Sequence, residues 1–237
     1  MLLVLMYHRV GTGKHANSLE LLRYHFQFLK ERFAIVLPGD PLPKGKTSIC
    51  LSFDDASFDF YHYIFPMLKE MNLRALLGVP VRYILEKSDL PAEERLEVPY
   101  TLAMQDGFFE KKAPFCTWQE LSEMVASGHV EVASHSYAHC NLTFSFVDLE
   151  REVIRSKEIL QKKLPQAITS FVYPFGRLNR SVQELIGRHY PYSFRIGSGA
   201  NYRWDKSPLF RIPADNLSHP AQLFTPFKRL KYFLKSI

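Results

Sequence analysis

Short apolar runs and segments of helical period take turns along this chain. Leu2 to His8 reads as a buried strand, and Ser18 to Phe33 carries Leu19, Leu22, Phe26 and Leu29 at helical spacing behind a capping Ser18. The alternation continues through strand Ile49 to Phe53, helix Phe58 to Met71, strand Ala75 to Val79, helix Thr117 to Ala126 and strand Val130 to Ser134. Thr117 with Glu120 forms a capping box, and Ser145 with Asp148 opens a long helix to about Lys163 in the same way. Strand Thr169 to Tyr173, helix Arg180 to His189, strand Ser193 to Ile196, strand Phe210 to Ala214 and a terminal helix from Pro220 or Ala221 complete the series.

Strands separated by helices of this length require crossover connections, and hence a parallel α/β sheet, open or closed into a barrel. A full eight-unit barrel takes about 250 residues. Here Arg82 to Pro114 reads as an insertion of weak periodicity within only 237 residues, so an incomplete, distorted (β/α) barrel is expected. No internal repeat or linker divides the chain. Residues 1–237 are therefore expected to form one domain, with 82–114 as a loop or lid over its site.

Composition narrows the setting. With 46% hydrophobic residues, 14% of the chain aromatic, one large core can be buried. The net charge of +6 fits a solvated basic surface, and by itself does not choose among anionic substrate, membrane surface and nucleic acid. Nothing in the chain resembles a nucleic-acid-binding module. Cys50, Cys116 and Cys140 show neither CxxC spacing nor an even count, which argues for a reduced compartment. Met1 to Met6 lacks a basic leader and a cleavage site and runs straight into Tyr7-His8-Arg9, so it reads as a strand; with no apolar stretch near the roughly 20 residues of a span, a cytoplasmic protein is expected. The stretch from Phe224 to Lys235 is basic and amphipathic. Core packing with a charged outer face is its default reading, and peripheral docking on an anionic membrane is the alternative.

Candidate chemistry sits at two strand ends. Asp54-Asp55 closes the run Thr47 to Phe53, and His135-Ser136-Tyr137-Ala138-His139 follows the strand Val130 to Ser134. Ligands of parallel α/β folds bind at the carboxyl ends of strands. Adjacent side chains of a strand point to opposite faces, so two neighbouring carboxylates share a site only where the pleat breaks. Two histidines four apart share a face in a helical turn. Two imidazoles and one carboxylate match the three protein ligands of a catalytic zinc, which leaves a position for water. The plainer alternative is that the Asp pair caps the next helix and the histidines are ordinary loop residues.

Ser52-Phe53-Asp54-Asp55 and His135 to His139 resemble the first two motifs of the polysaccharide deacetylase (NodB-homology) family, metal-dependent esterases that remove N- or O-acetyl groups from glycans. Tyr7-His8-Arg9-Val10 resembles the opening strand of one branch of that family, as does Trp118 in the helix before Gly128 to His135. Tyr173-Pro174-Phe175-Gly176 resembles the third motif, and Leu209-Phe210-Arg211-Ile212 the late strand. The resemblance implies a distorted barrel of about seven strands. It also implies Asp55, His135 and His139 as ligands of one divalent ion, zinc first with cobalt, nickel or manganese as alternatives. Asp54 would be the general base, and the Phe175 N–H, following Pro174, an oxyanion donor. Tyr173, Pro174, Phe175 and His8 would line the substrate, with Tyr137 and Trp204 as candidates to stack on a sugar. The implied reaction removes an N-acetyl, or O-acetyl, group from a glycan or lipid-linked glycan precursor.

Two departures stand out. Many members carry an arginine two residues before the third-motif proline, where this chain has Val172; Arg211 is the substitute candidate. Leu217-Ser218-His219 matches a late Leu-x-His by letters, which makes His219 a candidate general acid, although Asp215-Asn216 precede it where an apolar strand is expected. Other readings are a catalytically silent carbohydrate-binding protein, which would have no need of Asp54, and a metal-dependent amidase on a non-glycan C–N bond, which would share the mechanism.

Overall fold

In a computed structural model, which describes residues 1–13 and 15–236, seven parallel strands close into a barrel. They are β1 (Leu2–Tyr7), β2 (Ser48–Phe53), β3 (Ala75–Val79), β4 (Val130–Ser134), β5 (Ser170–Val172), β6 (Tyr192–Ile196) and β7 (Leu209–Pro213). Closure comes from β1, which pairs with β2 from Leu2↔Ser48 to Tyr7↔Phe53 and with β7 from Val4↔Arg211 to Met6↔Pro213. A short strand, Ala34–Ile35, lies against the start of β2. The ring is thinnest between β4 and β5, joined by the single register pair Ser134↔Phe171, and this seam distorts the barrel.

Both faces of β1 and β2 are buried along their whole length, which is why these strands read as unbroken apolar runs. Their outward residues Leu3, Leu5, Tyr7, Ile49, Leu51 and Phe53 pack in the large core beneath the helices. The inward residues Leu2, Val4, Cys50, Leu76, Val172, Phe194 and Leu209 plug the end of the barrel where the strands begin. Two residues further along, the inward positions of β2 and β7 turn polar, at Ser52 and Arg211. The sequence thus makes one end of the barrel oily and the other chemical.

The helices follow their caps. α1 (Leu19–Arg32) starts where Leu21 N–H donates to Ser18 Oγ at 3.1 Å, and buries Leu22, Phe26 and Leu29. α2 (Phe65–Glu70) is entered through a π-helical turn, Phe60–Ile64, because Pro66 has no N–H to continue a regular ladder. α3 (Trp118–Ala126) carries the full Thr117/Glu120 capping box. α4 (Ser156–Lys163), preceded by the π-helical Glu150–Arg155, departs from expectation at its start: Arg151 N–H donates to Asp148 Oδ1 at 3.1 Å, so Asp148 caps the helix and Ser145 lies in the turns before it. α5 (Arg180–His189) is capped by Asn179. The expected single terminal helix splits into a 3₁₀ turn, Pro220–Phe224, and α6 (Pro226–Ser236), since the residue before a proline disfavours helical torsions.

Residues 82–114, expected as a loop or lid, contain three short helices, Ala92–Leu96, Tyr100–Ala103 and Phe109–Lys112. Elements of four or five residues carry no apolar period, hence the weak signal. Arg95 fastens them: its buried guanidinium donates to the carbonyls of Ala113 and Phe115, each at 2.8 Å, and pairs with Glu120 at 2.7 Å.

Candidate active site

At the end of β2 the chain still keeps its ladder at Asp54, whose N–H donates to Tyr7 O at 3.1 Å. It then turns through two left-handed residues, Asp55 (φ 71°) and Ala56 (φ 50°). Such torsions cost about 1–3 kcal/mol at a non-glycine residue and concentrate at functional sites. Their effect here is to swing both carboxylates into one pocket.

Asp54 is held by Arg211 in a two-pronged ion pair, Nη1 to Oδ1 at 2.5 Å and Nη2 to Oδ2 at 2.9 Å, and Nη1 also reaches Ser52 Oγ at 3.2 Å. Burial pushes the Asp54 carboxyl upward, but the charge of Arg211, with His135 and His8 behind it, prevails and holds it well below the usual carboxylate range. Val172, where an arginine was the family expectation, is buried in the barrel plug. Arg211 reaches the same carboxylate from a different strand.

Asp55 is treated differently. Its Oδ2 accepts from Tyr100 of the insertion at 3.2 Å, whereas its buried Oδ1 has no hydrogen-bond partner among the described residues. That oxygen lies 3.6 Å from His135 Nε2 and 3.5 Å from His139 Nε2, and one ligand atom from each of the three residues lies within 4.8 Å of the others. His135 Nδ1 donates to Val172 O at 2.8 Å, which leaves Nε2 to face Asp55. Burial pushes His135 down to about 4, so the ring is neutral near pH 7 and its Nε2 lone pair is available. The two histidines are not on a helical turn as their spacing suggested. Left-handed torsions at Ser136 (φ 65°) and His139 (φ 53°) fold a loop that brings the rings to 4.7 Å.

On the other wall, His8 closes β1 with Nδ1 2.7 Å from Asp215 Oδ2 and Nε2 3.8 Å from Asp54 Oδ2. The other oxygen of Asp215 accepts from His8 N–H at 3.2 Å and Asn17 Nδ2 at 3.0 Å, so the ring is fixed. Burial lowers the His8 pKa, but the hydrogen bond to Asp215 and the charges of Asp54, Asp55 and Asp215 raise it overall to about 9. Asp215 and Tyr100 are the two members of the site that sequence reasoning missed. The signal for Asp215 was its place just past a strand end, the same logic that found Asp54.

Several expected site residues sit elsewhere. His219 faces α1: Nδ1 accepts from Ala221 N–H at 3.0 Å as a cap, Nε2 is 2.6 Å from the Tyr24 hydroxyl, and the ring lies edge-on to Phe28. With both nitrogens engaged there, the match to Leu-x-His is one of letters only. Trp204 is also misplaced by the sequence reading. It is buried in the barrel plug with Nε1 donating to Asp40 O at 2.8 Å, so its ring offers no platform to a sugar. Tyr137, which lies between the two histidines in sequence, is half-buried under the Arg151 guanidinium at 5.4 Å. Tyr173 and Pro174 are buried, with Tyr173 packed on Phe171. Phe175 is exposed, takes φ 58°, and sets its ring 4.7 Å from His139. Together with Phe144 and Phe146, which stack at 5.4 Å, it lines a cleft beside His139.

The sequence profile of the family described as Polysaccharide deacetylase matches residues 42–192, more than half of the chain. A poly-beta-1,6-N-acetyl-D-glucosamine N-deacetylase of Escherichia coli K12 is 26% identical over 190 residues, covering 68% of this chain and 26% of that protein. The chain thus spans about a quarter of that relative's length. Among solved structures, the Streptococcus pyogenes deacetylase PplD in complex with acetate superposes with a TM-score of 0.73 at 21% identity, covering 94% of this chain and 96% of that one. IcaB from Ammonifex degensii gives 0.69 at 23% identity, covering 91% and 92% respectively. At such identities these two neighbours speak to the fold alone, and it is the profile match, joined to the shared barrel, by which this chain belongs to the polysaccharide deacetylase family.

Proposed function

We propose that this chain hydrolyses the acetamide of an N-acetylated glycan, releasing acetate, with a divalent ion held by Asp55, His135 and His139. The observation that carries the reading is the unequal treatment of two adjacent carboxylates. Asp54 is paired through each of its oxygens with Arg211, while Asp55 Oδ1 is buried, unpartnered among the described residues and aimed at two imidazoles. A buried carboxylate oxygen without a donor is costly, and a cation relieves it. Two imidazoles and a carboxylate suit zinc, which ranks first, ahead of cobalt, nickel and manganese. Bound there, such an ion polarises a carbonyl and lowers the pKa of water toward about 7.

The chain's own residues supply the rest. Asp54, ionised and aimed by Arg211, accepts the proton of the attacking water. Its depressed proton affinity makes it a transient acceptor and not a store. The His8 imidazolium, braced by Asp215 on the other wall, donates to the departing amine nitrogen, a role for which the sequence offers His219 only as a candidate. The backbone N–H of Phe175 is the oxyanion donor, a contribution of about 3 kcal/mol for one such group. The Escherichia coli relative, by its name, acts on a polymer of β-1,6-linked N-acetylglucosamine. Oligomers of that linkage are therefore the first substrate to try, and exposed Phe144, Phe146 and Phe175 provide apolar faces on which pyranose rings can lie.

The test is acetate release from N-acetylglucosamine oligomers by protein stripped with chelator and then reloaded with zinc. Activity should vanish and return. Full turnover by the stripped protein would overturn the reading, and so would acetate release that survives Asp54→Asn.

A further inference from the structure

α6 is amphipathic in an unusual sense, because its apolar side faces out. Of its residues before Ser236, Tyr232 alone is buried, at 1% exposure. Phe227, Leu230 and Leu234 are 75%, 56% and 64% exposed. At helical spacing these three lie within about 60° of one another, with Tyr232 on the opposite side. Core packing, the default for this stretch, therefore holds for Phe224 and Tyr232 but not for Phe227, Leu230 and Leu234.

The helix is also firmly seated. Leu223 is buried just before it, Phe224 stacks on Phe33 at 4.4 Å, the Tyr232 carbonyl accepts from Ala200 N–H at 3.3 Å, and Lys235 donates to Gly197 O at 2.8 Å. With one side fixed to the barrel, the stripe cannot turn inward without breaking these contacts. Charge borders it on one side, where Lys231 lies next to the stripe with Lys235 and Lys228 beyond it; on the other side Phe233, 47% exposed, comes before Arg229, and residues 226–236 include no acid. The basic surface extends past the helix into a cleft lined by Lys30, Arg32, Lys46 and Arg229, with Glu31 as its one acidic residue.

The geometry points to α6 as a peripheral docking element for an anionic lipid bilayer, lying in the interface plane with Phe227, Leu230 and Leu234 below the headgroups and the flanking cations at phosphate level. An apolar stripe bordered by cations matches a bilayer's layering, in which an oily interior lies directly beneath a negative surface. A protein groove would need an acidic rim beside an apolar floor to do the same. The assignment stands on the helix alone and holds whether or not the catalytic reading does.

Sedimentation of the full chain with phosphatidylcholine vesicles, with and without phosphatidylglycerol, tests it. The chain should pellet with the anionic vesicles, and raised salt should weaken the binding. Phe227→Glu with Leu230→Glu should cut the partition at least tenfold, and each of Lys228→Gln and Lys231→Gln by about fivefold. Circular dichroism should stay that of the parent, since these side chains are exposed. Failure to bind anionic vesicles, or undiminished binding by the Glu double variant, would overturn the proposal. So would a lipid-free dimer in light scattering that the double variant converts to monomer, because the stripe would then serve a second copy of the chain.

Discussion

His135 and His8 face the same pair of carboxylates from opposite walls and are held in opposite protonation states. Both are buried. One is pushed down to about 4 by burial, and the other, despite burial, is raised to about 9 by Asp215 and the charges around it. The difference lies in what stands behind each ring. His135 Nδ1 gives its proton to a neutral carbonyl, Val172 O, and the charges of Asp54 and Asp55 only partly offset the cost of desolvating a cation. His8 Nδ1 rests on a carboxylate, Asp215, which stabilises the charged ring. A neutral imidazole can ligate a metal, and an imidazolium can donate a proton. Paired titratable groups whose surroundings drive their pKa values apart are how one site divides such roles.

The most severe way to break the contrast is to remove the neutral ring. His135→Ala should abolish both metal binding and acetate release, measured as bound metal per chain and as turnover, with the fold retained by circular dichroism. Metal retained at full stoichiometry would mean the ligand set lies elsewhere. Next comes His8→Ala, which should leave metal content intact and lower kcat by about 10²–10⁴-fold, the range for loss of a general acid. A smaller change then adjusts the contrast without abolishing it. If protonated His8 is the active form, activity is present below its pKa and lost as pH rises through it, so the alkaline limb lies at or below about pH 9, because a bound cation nearby lowers the value. Asp215→Asn removes the brace and its charge. The limb should move to lower pH while metal content stays the same, and an unmoved limb would separate His8 from the proton donation assigned to it.

What the sequence made legible, and what it hid, follows the distance over which each residue acts. Asp54 and Asp55 are adjacent, and His135 and His139 are four apart, so both motifs could be read locally, down to the break in the pleat now seen at Asp55 (φ 71°). The barrel strands were legible for a related reason: burial on both faces leaves no polar interruption. Arg211 acts on Asp54 across 157 residues, and Asp215 on His8 across 207. No local pattern records either pairing, and only the family resemblance singles out Arg211. Each exists only because β7 and β2 flank β1 when the ring closes. The same closure defeats single-residue guesses from residue type. Trp204 looks like a sugar platform and serves as a plug, because an aromatic ring is equally suited to both and only topology decides which end of the barrel it meets.

The mildest substitution tests whether the two-walled description is complete. His219 lies on the face of α1, bonded to Tyr24 and capping the Pro220–Phe224 turn. If His8 alone supplies the proton, His219→Ala should leave kcat, metal content and the alkaline limb where they were. Its cost should appear in stability, about 1 kcal/mol for a lost cap at an exposed site, read from chemical denaturation. The two readouts make the comparison decisive. A catalytic His219 would lower kcat at unchanged stability, whereas a capping His219 lowers stability at unchanged kcat, and the engagement of both its ring nitrogens on the outer surface favours the second outcome.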